Sequence, residues 1–158
     1  MRCEAMNESP KSFPEIEARS LSGRSYRLPG DLEGERNVLV VAFKRNQQEA
    51  VDGWLPALLQ LEARIPGLRV YEVPTISRAW SPARWLIDGG MTRGIPDPDA
   101  RARTLTSYTD VGPVLAALGL DGPETISTVL VERSGEIAWR QSGRFDQGKL
   151  EGLLAALG

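Results

Sequence analysis

The sequence contains no histidine and a single cysteine, Cys3. Without histidine there is no Ser-His-Asp or Cys-His catalysis, no imidazole general base, and almost no route to a transition-metal site. One cysteine excludes an intramolecular disulfide, a CxxC motif and a thiolate zinc site. Lysine is scarce as well: Lys11, Lys44 and Lys149 are the only three, and none lies in an S-x-x-K setting. Any catalysis would fall to carboxylates, arginine, tyrosine or a lysine, and the expectation is a protein that is not an enzyme. No apolar run approaches the roughly 20 residues that cross a bilayer. The N-terminal MRCEAMNESP has no apolar segment of the signal-peptide kind. The expected setting is cytoplasmic, and the chain is not expected to be an integral membrane protein.

What is present fits one domain. A length of 158 residues with 41% apolar and 25% charged content is that of an ordinary globular chain. A net charge of −2 gives no reason to expect nucleic acid as a partner. Residues 1–12 are polar and read as a flexible tail, with the domain spanning 13–158. Ile16–Ser20 and Arg24–Leu28 flank Leu21-Ser22-Gly23 as an N-terminal β-hairpin. VLVVAF, ending at Phe43, reads as a strand covered on both faces. From about Gln47 to Arg64 apolar residues recur at helical spacing, with Pro56 expected to kink the helix. Leu68–Val73 reads as a strand, and Ser81-Pro82 starts a helix running to about Met91. PDPDARAR, residues 96–103, reads as a stiff loop whose Asp97 and Asp99 lack the further ligands a metal site needs. A short strand at Thr104–Ser107 precedes a helix that Asp110 caps. Thr128–Glu132 and Glu136–Arg140 flank a turn at Arg133-Ser134-Gly135. Asp146 then starts a helix with Leu150, Leu153, Leu154 and Leu157 on one face. Alternating strands and helices closed by a hairpin and a helix point to an α/β three-layer sandwich, with helices on both faces of a mixed central sheet.

Two segments carry a family resemblance: FPEIEARSLSGRSYRLPGDLEGERNVLVVAF near the start and TVLVERSGEIAWRQSG near the end. In order and spacing they resemble the thioredoxin-like superfamily in its peroxiredoxin-type form, over essentially the whole chain after residue 12. The resemblance implies where redox cysteines would stand, the first five residues after the strand phenylalanine and the second five before the helix proline. Counting from Phe43 gives Gln48, and counting back from Pro56 gives Val51. The loop keeps the family's length and lacks its sulfur. The family's cis-proline would fall nine residues before Gly135, where Ile126 stands. A narrower resemblance, in Gln48 to Pro56, GMTRGIPDPDARARTLTSYTD and IAWRQSG, is to thioredoxin-like assembly factors for ATP synthase, which act by binding a subunit.

The resemblance with these losses implies a redox-inactive binding or assembly module, with no cofactor, no metal and a protein partner. The candidate surface is the former active-site loop, Lys44, Arg45, Asn46, Gln47, Gln48 and Val51 with Ile126, beside a partner surface formed by Trp80, Arg84 and Trp85. Lys44, Arg45 and Asn46 precede a helix N-terminus, a setting that can also hold an anion. Trp54 is at core spacing, and Trp139, alternating with Ile137, is expected beneath the last helix. Two alternatives stand beside the binding module. One is a peroxiredoxin-like enzyme using Cys3 with a partner thiol. The other is a small-molecule binder with an apolar pocket beside Gln48 and Ile126.

Overall fold

The computed structural model describes residues 12–77 and 97–158. Within them seven strands, β1 (Ile16–Ser20), β2 (Ser25–Leu28), β3 (Arg36–Ala42), β4 (Leu68–Ser77), β5 (Leu105–Thr109), β6 (Ser127–Glu132) and β7 (Ile137–Ser142), form one sheet. The order is β2-β1-β5-β4-β3-β6-β7. The three central strands β5, β4 and β3 run parallel, and hairpins pair antiparallel at both ends. The helices are α1 (Gln48–Arg64), α2 (Pro98–Arg103), α3 (Val111–Leu118) and α4 (Gln147–Leu157).

β3 explains the layering. Its residues from Asn37 to Ala42 are all buried, because successive side chains point to opposite faces and both faces are covered. Leu39 and Val41 pack with Tyr71, Val73, Val129 and the α3 residues Val114 and Leu118. Val38 and Val40 pack on the other side with Leu130, the α1 residues Val51, Trp54 and Leu58, and Leu153 of α4. The arrangement is the expected three-layer sandwich with a mixed sheet and an N-terminal hairpin.

Four local expectations differ from the structure. Residues 98–103 form α2 and not a loop: Asp97 accepts a hydrogen bond from Asp99 N at 3.2 Å and Pro98 takes the first helical turn. Asp97 is therefore a helix cap, and a proline with no N–H to leave unsatisfied suits the position after it. Leu154, expected on the apolar face of α4, is 39% exposed, so that helix buries a narrower stripe around Leu153. Ile137 and Trp139 do not share a face. A bulge between Leu130 and Val131 pairs Trp139 with Leu130 and Ile137 with Val131, and this shifts the alternation by one residue. Trp139 accordingly joins the α1/α4 side while Ile137 joins the α3 side. Ser12, placed in the tail, forms an antiparallel bridge with Glu136. Pro56 lies inside α1, which continues through it to Arg64. The helix expected over residues 81–91, with Trp80, Arg84 and Trp85, lies outside the described residues, as does Cys3.

Candidate functional site

The chain leaves β3 at Ala42, makes one 3₁₀ turn over Arg45–Gln47 and enters α1 at Gln48. Gln47 shapes this passage. Its Oε1 accepts from Phe43 N at 2.7 Å and from Lys44 N at 3.1 Å, while its Nε2 donates to Pro123 O at 2.8 Å. The side chain is 7% exposed, so its amide is consumed by the fold. Leaving these backbone groups unpaired in a buried setting would be costly, which is why a glutamine fits where an apolar residue would not.

Lys44 reinforces the same contact: its Nζ lies 2.7 Å from Glu124 Oε1. Two links therefore join the loop ahead of α1 to the Pro123-Glu124 segment ahead of β6. Lys44 is engaged by a carboxylate, and Arg144 approaches Glu49 at 3.5 Å. Gln48 is exposed and donates from Nε2 to Asp52 Oδ1 at 2.8 Å. Arg45 and Asn46 are exposed. The positive charge of Lys44 and Arg45, expected to be able to hold an anion, is thus offset by Glu49, Asp52 and Glu124.

Val51 and Ile126 are brought together in one closed cluster with Trp54, at 2% and 1% exposure. Trp54 is fully buried, donates from Nε1 to Gly143 O at 3.0 Å, and meets Phe145 edge-on with ring centroids 5.3 Å apart. Gly143 N in turn donates to Ile126 O at 2.9 Å. The tryptophan is a core anchor that ties α1 to the β7–α4 connection. The peptide bond before Ile126 is not cis. Two cavities among the described residues, of about 360 and 380 Å³, open over the N-terminal hairpin and touch neither Gln48 nor Ile126.

One polar residue near the loop had no signal in the sequence. Glu72 on β4 is 6% exposed and stands beside Val40 in the sheet. Burial pushes its carboxyl above the ordinary value; Gln48 hydrogen bonding opposes this, the Asp52 charge adds to it, and Arg103 opposes it. Alternation along β4 marks Glu72 as sharing the face of Val70, and that face becomes recognisable as buried only once α1 is placed over it. Further along the same edge, Glu62 Oε2 accepts from Val70 N at 2.9 Å while Arg103 Nη1 reaches Glu62 Oε1 at 3.1 Å and Val70 O at 3.3 Å. These two side chains complete the edge of β4 where β5 does not reach it.

A parallel β3-α1-β4 unit, a β6-β7 hairpin closed by α4 and a hairpin ahead of them settle the fold. The chain has a thioredoxin-like fold. Solved structures with that fold superpose over nearly its full length. They include the exposed lipoprotein thioredoxin Etrx1 of Streptococcus pneumoniae, 14% identical with a TM-score of 0.60 over 90% of this chain and 98% of that one. The thioredoxin domain of a thiol-disulfide oxidoreductase from Bacteroides vulgatus is 21% identical, with a TM-score of 0.60 over 92% and 96% of the two chains. BsSco, of the Sco family of cytochrome c oxidase assembly proteins, is 13% identical, with a TM-score of 0.61 over 94% and 92%. No protein-family model matches the chain, and no curated protein sequence does. The comparisons carry the thioredoxin-like reading of the sequence and neither of the narrower ones, the peroxiredoxin type and the ATP synthase assembly factors. No helix among the described residues is long and apolar enough to cross a membrane.

Proposed function

We propose that this thioredoxin-fold protein is a binding or assembly module with no thiol chemistry at the head of α1. The observation that carries the reading is the state of that loop. Gln48 stands exposed and Val51 buried where the resemblance places two cysteines, and neither side chain can form a thiolate or a disulfide. The residues around them serve the fold. Gln47 and Lys44 tie the loop to Pro123 and Glu124, so the space between the two loops is bridged. The surface left for a partner is the rim formed by Arg45, Asn46, Gln48 and Glu49, all exposed.

A second reading is favoured by the neighbours named above that are thioredoxins or thiol-disulfide oxidoreductases: an enzyme using Cys3 together with a partner's thiol. Insulin reduction and peroxide consumption separate the two. The binding module gives no turnover in either assay for the wild type. Turnover that disappears in Cys3→Ala would transfer the function to Cys3. For the partner, affinity capture from the native cell compares the wild type with Arg45→Glu. Capture of one protein by the wild type and its loss in the variant supports the rim, and equal capture by both rejects the rim as the contact.

A further inference from the structure

The polar face of the N-terminal hairpin is built differently from the α1 loop. On β1, β2 and β5 the residues Ile16, Ala18, Tyr26, Leu28 and Leu105 turn into the α3-side core. Alternation sends their neighbours to the other face. There, cross-strand pairing sets Arg19 between Ser25 of β2 and Thr106 of β5, and Glu17 beside Arg27. Among the described residues, the cluster that α1 and α4 form on this side of the sheet takes in no residue of β1, β2 or β5. A cavity of about 360 Å³ opens on this face and is lined by Glu17, Arg19, Ser25, Arg27, Asp31 and Thr106, among others.

Two groups in it are unmet. Thr106 is 2% exposed, and its Oγ1 has no hydrogen-bond partner among the described residues, a property it shares there with Arg101 Nε, Ser127 Oγ and Thr128 Oγ1, none of which lines this cavity. A buried hydroxyl without a partner is uncommon and calls for a missing acceptor, donor or water. Arg19 is exposed and forms no ion pair or side-chain hydrogen bond among the described residues, although it stands directly across from Thr106. The remaining charges are partly engaged: Arg27 Nη2 lies 3.7 Å from Glu17 Oε2, and Asp31 Oδ2 accepts from Arg27 N at 2.8 Å. Two guanidinium groups and two carboxylates leave the lining formally neutral, which suits an ambipolar ligand better than a polyanion. Its volume lies in the range of small-molecule sites.

We propose that this face is a binding site for a small zwitterion of the α-amino-acid type. Its carboxylate is held by Arg19 with the Ser25 and Thr106 hydroxyls, a charge-assisted arrangement that the guanidinium fork favours. Its ammonium group faces Glu17 and Asp31. The site is independent of the reading of the α1 loop, and either can fail alone.

The test is a titration of the whole chain with each proteinogenic α-amino acid, followed by backbone amide NMR, with acetate and methylammonium as half-ligand probes. At least one amino acid is expected to give saturable shifts centred on Arg19, Ser25 and Thr106, and to bind more tightly than either half-ligand. Arg19→Ala should weaken that binding by roughly tenfold or more. Thr106→Val removes the orphaned hydroxyl without changing the side chain's shape, so a purely structural Thr106 would leave binding untouched. The site requires the variant to remain folded and bind more weakly. Saturation by no amino acid, acetate binding as tightly as the best amino acid, or unchanged binding in either variant would overturn the proposal.

Discussion

The loop at the head of α1 and the polar face of the hairpin both carry amide, hydroxyl and charged groups, yet they treat them in opposite ways. In the loop itself the buried polar side chains are met from within the chain, Gln47 by Phe43, Lys44 and Pro123, and Trp54 by Gly143, while on β6 behind it the Ser127 and Thr128 hydroxyls have no partner among the described residues. At the hairpin face a buried hydroxyl and a guanidinium stand across from each other with no partner among the described residues. A surface whose polar groups are saturated internally holds its shape without a ligand and presents only its rim. A surface with unmet groups keeps their hydrogen-bonding capacity for something else. The position that the fold resemblance points to is thus the more self-sufficient of the two.

The sharpest way to break this contrast is Gln47→Ala. It strips partners from two backbone N–H groups and one carbonyl, and unfolding by denaturant should register a loss of about 1–3 kcal/mol. Arg19→Ala at the hairpin should stay within about 0.5 kcal/mol of wild type. Equal losses at the two sites would erase the distinction. Glu72→Gln comes next and reads through pH. Because burial raises the folded carboxyl above its unfolded value, its favourable contribution is present below the unfolded pKa and is lost as pH rises through the folded one. Glu72→Gln should therefore match wild type in acid and be the more stable of the two at neutral pH. A stability difference that does not change with pH would contradict the assignment. The smallest effect belongs to Lys44 and Glu124, a largely exposed pair. A double-mutant cycle with Lys44→Ala and Glu124→Ala should return a coupling below about 1 kcal/mol, so that Gln47 and not the ion pair holds the two loops together.

Much of the architecture was legible because its signals are local. The turn at Leu21-Ser22-Gly23, the apolar run of β3, the caps Asp110 and Asp146 and the Ser134-Gly135 turn each lie within a few residues of what they determine. The α2 start at Asp97-Pro98 carried the same kind of signal as Ser81-Pro82 and could have been read the same way. What was not legible depends on distant partners. Nothing near Gln47 announces that its amide will meet Pro123, 76 positions away. Nothing in IAWRQSG reveals the bulge that sends Ile137 and Trp139 to opposite faces, since that depends on the pairing with β6. Glu72 and Thr106 look like ordinary strand residues until the sheet places them. The place of the candidate loop follows from spacing along the chain, whereas the state of its side chains depends on the fold.

The central claim is that the loop keeps the geometry of a dithiol site while holding Gln48 and Val51. Gln48→Cys/Val51→Cys in a Cys3→Ser background measures this directly. Mild oxidation followed by intact mass and thiol counting should show an intramolecular disulfide in a folded monomer, with reversible reduction by dithiothreitol. Two free thiols persisting in the folded, oxidised sample would mean that positions 48 and 51 do not stand where a dithiol pair would, and the account of the loop would be contradicted.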